Sequence, residues 1–440
     1  MSPQPAPPGV RPPPVGHRLV RAVAGVGALR GAQMLASFAV AVLLARVLGA
    51  EQFGAYTLAL AIATLLALPA GGGVAPLLTR ELARYEYAAD WPAWAGATRR
   101  ALAFAAALAL LCAGLYVAFA LWAAGSAFYW AALAVPALAL AKVLSGLQQG
   151  ARRPVLAQWP EMLVRPLTLL LLLAALAAAG ALTLGHAAAS FACAAWLALV
   201  VGGVLAGRTA ARRLASGGQG SPTYEDRRWL AALLPFTGIV AINTLNAEAF
   251  VPLLAWLSSV AEVGIFKVAL SIALLVGTPL IVVEAVIRGD VARLYAAGEA
   301  ARLRRLLRLA AWGSAALSLP LLAIVWLWGE ALLVGVFGAD FAASYRPLLV
   351  LVCGFVVSNV VGPSMQLLYA TDFESDALRV SLASLFVVVL CALVWIPEYG
   401  ALGAAWAFAL GKAGRAVTFK LWAEHRLRRF FAAATQDAPG

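Results

Sequence analysis

Five cations stand inside long apolar runs of this sequence: Arg30, Lys142, Lys267, Lys412 and Arg415. A charge surrounded by hydrocarbon is costly, so such residues pair, reach for water or line a wet cavity. Arg30 falls about eight residues into an apolar run that starts near residue 22, roughly 12 Å along a helix. Lys142 lies at a similar depth in the fourth run. Lys412 is near the middle of the last run, and Arg415 follows it by one helical turn. Lys267 sits near the start of the eighth run. Two acids are also internal, Glu248 in the seventh run and Glu284 in the eighth. A pocket lined by Arg and Lys attracts an anion such as a phosphate or pyrophosphate headgroup. An exporter of cations would favour buried carboxylates instead, and Glu248 and Glu284 are the candidates for ion coupling.

Some of these charges have simpler explanations. Glu284 with Arg288, and Glu161 with Arg165, are spaced i, i+4 and can pair on one helix face. Lys267, Arg165 and Arg288 can snorkel to water. Glu248 can be a protonated helix contact, hydrogen-bonded to the nearby Asn243 or Asn246. Cys112, Cys193, Cys353 and Cys391 all lie in apolar runs with no CxxC pair and no His nearby, so they read as small core residues. The three histidines are scattered, and neither a metal nor a cofactor is indicated.

The elements that must hold these residues are membrane helices. Of the 440 residues, 63% are hydrophobic and 12% charged, against roughly a quarter charged in soluble domains. About twelve runs approach the roughly 20 residues a span needs. Spans 1 to 6 cover 22–45, 53–78, 101–124, 128–148, 162–179 and 182–206. Spans 7 to 12 cover 230–257, 263–287, 307–328, 348–369, 378–396 and 401–422. The fold expected is an all-α polytopic membrane protein with two six-helix lobes around a central cavity.

Charge gives the orientation. Arg99, Arg100, Arg152, Arg153, Arg213, Arg293, Arg305 and Arg428 fall in even connections or the C-terminal tail, while Glu51, Glu262, Glu330, Asp340 and Glu398 fall in odd ones. This places both termini in the cytoplasm. The acidic stretch Asp372, Glu374 and Asp376 runs against the pattern, but acids weigh little in that rule. The net charge of +13 is thus a topology signal and not a nucleic-acid footprint. The organisation expected is a disordered Pro-rich tail (1–21), an N-terminal lobe (22–206), a cytoplasmic linker (207–229), a C-terminal lobe (230–423) and a cytoplasmic tail (424–440). The stretch 294–311, with arginines among leucines, reads as a basic amphipathic helix at the membrane surface.

The two halves are alike. Residues 43–69 lie without a gap on 253–279, an offset of 210, so that Gly54 meets Gly264, Pro69 meets Pro279 and Tyr56 meets Phe266. Six spans per half gives both halves one orientation, so this is a parallel repeat.

The run LLARVLGAEQFGAYTLALAIATLLAL with LTRELARY, then AEVGIFKVALSIALLVGTPL with ARLYAAGE, VGVFGADFAASYRPLLVL and GPSMQLLYATDFE, resembles the polysaccharide-export flippases. The match spans about residues 18–422 and points to the oligosaccharide flippase branch of the multidrug/oligosaccharidyl-lipid/polysaccharide exporter superfamily. The chain departs from the pattern where Glu248 is out of line with an Asp often found in span 7, and where Gly289 replaces a Pro. The resemblance implies a V-shaped cavity between two lobes and a multi-pass protein of the bacterial cytoplasmic membrane. It implies alternating-access export of a polyprenyl-pyrophosphate-linked oligosaccharide for surface polysaccharide. A polysaccharide polymerase or glycosyltransferases are candidate partners beside the membrane lipids. The alternative is an ion-coupled exporter of drugs or other small molecules. An enzyme such as a polymerase fits poorly, because the loops are short and carry no paired carboxylates.

Overall fold

Lipid offers no partner to a backbone N–H or C=O, so each spanning segment must satisfy its own groups as a helix. The structure, a computed structural model, describes residues 15–123, 125–216, 221–224, 226–297, 299–363 and 374–436. These form α1 (Val15–Ala67), α2 (Val74–Tyr87), α3 (Trp91–Ala123), α4 (Ser126–Gly150), α5 (Pro154–Trp159), α6 (Arg165–Ala178) and α7 (Leu184–Ser216). The second half forms α8 (Asp226–Glu248), α9 (Phe250–Leu257), α10 (Val260–Ala296), α11 (Ala300–Phe337), α12 (Tyr345–Val361) and α13 (Glu374–Gln436). No strand occurs among the described residues. Pro69 and Pro160 open π-helical turns, Leu68–Gly72 and Pro160–Val164, that join α1 to α2 and α5 to α6. A proline lacks the N–H of the i→i−4 ladder, and a π-turn is one way to absorb that gap.

Among the described residues, ten stretches are long and apolar enough to cross a bilayer. Two are too long for one crossing: Gly27–Tyr87 has 61 residues and Arg379–Trp422 has 44. Each contains a glycine in a non-helical conformation, Gly49 (φ 72°, ψ 178°) and Gly400 (φ 53°, ψ −127°). Positive φ is open to glycine without the steric cost other residues meet. Breaking the two long helices there yields the twelve spans expected. Gly49 falls at the same place in the repeat as Ser259, which N-caps α10 by accepting from the Glu262 N–H. Both breaks lie at one end of the bundle, because Glu262 at the start of α10 abuts Gly400 and accepts from the Ala401 N–H at 2.7 Å. That end is called distal below, and the end bearing the linker is called proximal.

Three boundaries differ from those expected. α1 is already helical at Val15, with residues 1–14 lying outside the described residues. α7 continues to Ser216 and α8 starts at Asp226, so both helices run into the stretch expected as linker. α13 runs on to Gln436, through most of the expected tail. Arginine-rich helix ends can project beyond the apolar slab into water without breaking their backbone ladder, so hydropathy underestimates their length. The acidic loop with Asp372 falls outside the described residues, as do the side chains of Glu374 and Asp376.

The apolar cores define how the halves meet. Distally one continuous core joins them: Val40, Leu44 and Phe53 of α1 pack with Phe266 of α10, Phe337 of α11 and Leu351 of α12. Proximally the cores are separate. Leu77, Leu82, Trp94 and Leu147 form one in the first half, and Ile287, Val291, Leu303 and Phe419 form another in the second. α8 is the exception, since its proximal residues Trp229, Leu233 and Phe236 belong to the first half's core. The bundle is therefore fused at the distal end and divided at the proximal end, with α8 crossing over. All four cysteines are free. Cys112 is buried as expected, but Cys193 and Cys353 are exposed.

Candidate functional site

Depth follows from the helix breaks. At 1.5 Å per residue, Lys267 lies about 10 Å from the distal start of α10 and Lys412 about 18 Å from Gly400. On the same scale Arg415 is about 22 Å from Gly400, Lys142 about 24 Å from the start of α4 and Arg30 about 28 Å from Gly49. The hydrocarbon core is about 30 Å thick. Lys412 and Arg415 therefore sit well inside it, whereas Arg30 falls near its proximal face. The sequence placed Arg30 deeper because it started the span at residue 22.

Rotation about each helix decides what these cations face. Lys267, Ser271 and Thr278 recur at helical spacing on one face of α10. Thr278 meets Met34 of α1, with its hydroxyl 3.7 Å from the sulfur, so that face looks across at the first half. Lys267 is half-buried there and has no carboxylate within ion-pair distance. Arg30 is one turn from Met34 and exposed, toward the proximal end of α1.

The second half brings three predicted residues together. Lys412 of α13 lies in the field of Arg415, one turn away, and of Glu284 on α10. Its ammonium stands 4.8 Å from the ring centroid of Phe355 on α12. A cation over a desolvated ring gains on the order of 1–2 kcal/mol, which adds to the attraction of Glu284 in holding the ammonium in the interior. Phe355 was missed at the sequence level, where one phenylalanine among many carries no mark. Arg288, the expected partner of Glu284, has a side chain outside the described residues.

Other expected pairings do not form. Glu161 and Arg165 make no ion pair; Arg165 instead faces the ring of Phe191 at 5.9 Å. The π-turn at Pro160–Val164 explains this, because it moves i, i+4 residues off a common face. Asn246 turns back to its own helix, donating to the Ile242 carbonyl at 2.8 Å, and Asn243 is exposed, so neither bonds Glu248. Glu248 is half-buried at the break between α8 and α9. Lys142 is half-buried without an ion pair, on a helix that packs on α1, α2, α3 and α7 of its own half, and it is not drawn to the Lys412 group.

A second charged cluster lies at the proximal end of α2, in the LTRELARY stretch. Glu81, 4% exposed, pairs with Arg80 at 2.8 Å and Arg84 at 2.7 Å. Glu86 pairs with Arg213 of α7 at 3.2 Å. These acids are neutralised and tie α2 to α7, a brace and not a binding pocket.

The comparisons bear on this arrangement. The chain resembles a multidrug resistance MATE transporter of the MOP superfamily in its inward-facing conformation (TM-score 0.68, 16% identity, 92% of this chain and 96% of that one). It also resembles the lipid II flippase MurJ in an inward closed conformation (TM-score 0.67, 10% identity, 96% and 94%). The MATE transporter VcmN of Vibrio cholerae, in its bent form, is similar as well (TM-score 0.57, 15% identity, 93% and 98%). At these identities the likeness is one of fold. A search of the curated proteins found no match. A sequence model described as polysaccharide biosynthesis protein matches residues 19–286, well over half the chain. With that match, the chain belongs to the polysaccharide biosynthesis protein family, and its fold is like that of the MATE and MurJ structures.

Proposed function

We propose that the protein is a flippase for a polyprenyl-pyrophosphate-linked oligosaccharide, carrying it across the cytoplasmic membrane by alternating access during surface polysaccharide assembly. The distal end faces the periplasm. The observation that carries this reading is the pair Lys267 and Lys412, two interior cations with no carboxylate at ion-pair distance among the described residues. Moving a pyrophosphate through hydrocarbon unaided costs tens of kcal/mol in the Born limit. Cations fixed along a divided bundle lower that barrier, because they replace the water the anion loses. Arg30 receives the head at the proximal mouth, Lys412 and Arg415 hold it midway, and Lys267 lies under the distal closure. The polyprenyl tail stays in the bilayer. The family match and the fold shared with a lipid II flippase support the same reading.

The test uses cells that depend on this protein for surface polysaccharide. Lys267→Ala, Lys412→Ala and Arg30→Ala should each cut export at least about tenfold, the loss of one charge-assisted contact, at unchanged membrane level. Lipid-linked precursor should accumulate on the cytoplasmic leaflet. Full export by all three variants rejects the assignment.

A second reading, an ion-coupled small-molecule exporter, is favoured by Glu284 beside Lys412 and by the MATE transporters among the similar structures. Under it, Glu284→Gln abolishes drug resistance and leaves polysaccharide intact.

A further inference from the structure

We infer that Gly54 and Gly264 form a reciprocal steric latch that closes the distal end, and that transport requires this latch to part. The two glycines occupy equivalent positions in the repeat, as do Ala50 and Val260. A Cβ built on Gly54 would run into the Val260 carbonyl oxygen and lie 3.0 Å from the Gly264 nitrogen. A Cβ on Gly264 would run into the Ala50 carbonyl oxygen and lie 3.3 Å from the Ala50 Cα. Each half thus presents the same backbone patch to the other, as in a two-fold interface where i meets j and j meets i. Neither glycine has a positive φ. What fixes the residue type is the close approach of two helices, which only a missing side chain allows.

The position makes this contact a gate and not a fulcrum. Gly54 and Gly264 lie about 6–8 Å along their helices from the distal breaks. When two lobes rock, the rim moves most, so a contact at the rim cannot survive opening. The surrounding contacts belong to the same closure. Arg46 donates from Nε to the Val336 carbonyl at 2.6 Å and from Nη2 to the Gly335 carbonyl, at the C-terminus of α11. The rings of Phe53 and Phe341 meet edge to face, with centroids 6.3 Å apart. A methyl group at either glycine penalises the closed state alone, because the opposing backbone has moved away in the open one. Populations then shift toward the distally open form. The inference is independent of the cargo, and its readout needs no substrate.

The experiment starts from a parent with all four cysteines replaced and one reporter added, Ser271→Cys, on the face of α10 that looks into the cleft. A membrane-impermeant maleimide is applied from the periplasmic side to the full-length protein in cells. Gly54→Ala and Gly264→Ala should each raise labelling at least about fivefold, as expected for a minor state made dominant. Gly114→Ala, with open space around it, should leave it unchanged. Unchanged labelling in either latch variant at normal membrane level overturns the proposal. The parent gives a second measurement should the variants fail to insert. Nitroxides at Glu51→Cys and Ser258→Cys must yield one short distance population, and a broad, separated one overturns the latch.

Discussion

At the scale of single residues, charge type was legible and charge environment was not. Lys412 could be read as an interior cation from its place in the last apolar run. That it stacks on Phe355, 55 residues or more away in sequence, could not. The two side chains should be coupled. In a double-mutant cycle with Lys412→Met and Phe355→Leu, the double variant should lose less stability than the sum of the singles. The difference should be about 1–2 kcal/mol, read by thermal unfolding in detergent. Zero coupling would mean that the ammonium and the ring are merely adjacent. The pairing of Glu161 with Arg165 failed for a reason also invisible at this scale, since a π-turn had changed the helical period beneath it.

At the scale of elements, apolar length fixed where helices form, but their ends were set by other forces. Gly49 and Gly400 break two helices that hydropathy alone would leave as one stretch each in the structure, and charge alternation had already required a turn near both. Gly400 does more than end a helix. Its φ of 53° excludes a side chain at low cost, and a Cβ there would lie 2.7 Å from the Glu262 carboxylate that caps span 12. Gly400→Ala should therefore cost on the order of 1–2 kcal/mol and lower the unfolding temperature. Gly207→Ala, in open space, should leave that temperature unchanged or raise it slightly.

Across the molecule, the two halves share a distal core and keep separate proximal cores, the arrangement that the proposed alternating access requires of one of its states. α8 complicates the symmetry, because its proximal half packs with the other lobe, while Ala249, which separates it from α9, keeps helical φ and ψ. Topology can be checked directly. A fluorescent reporter fused after Gly440 should be active in the cytoplasm, and alkaline phosphatase fused after Glu330 should be active in the periplasm. The reverse result would invert the direction of every step proposed above.

The class and the number of spans were legible in composition, local hydropathy and loop charge, and the parallel repeat and the family resemblance in matched runs of residues. None of these needs knowledge of distant contacts. How far each cation lies from the helix breaks, what packs beside it and where the two halves touch came from the folded arrangement. The physical reason is that a membrane helix can be apolar on every face, so its pattern does not announce which side turns inward. Gly54 and Gly264 could be matched in the repeat from the sequence, but their mutual approach exists only once two helices about 210 residues apart have crossed.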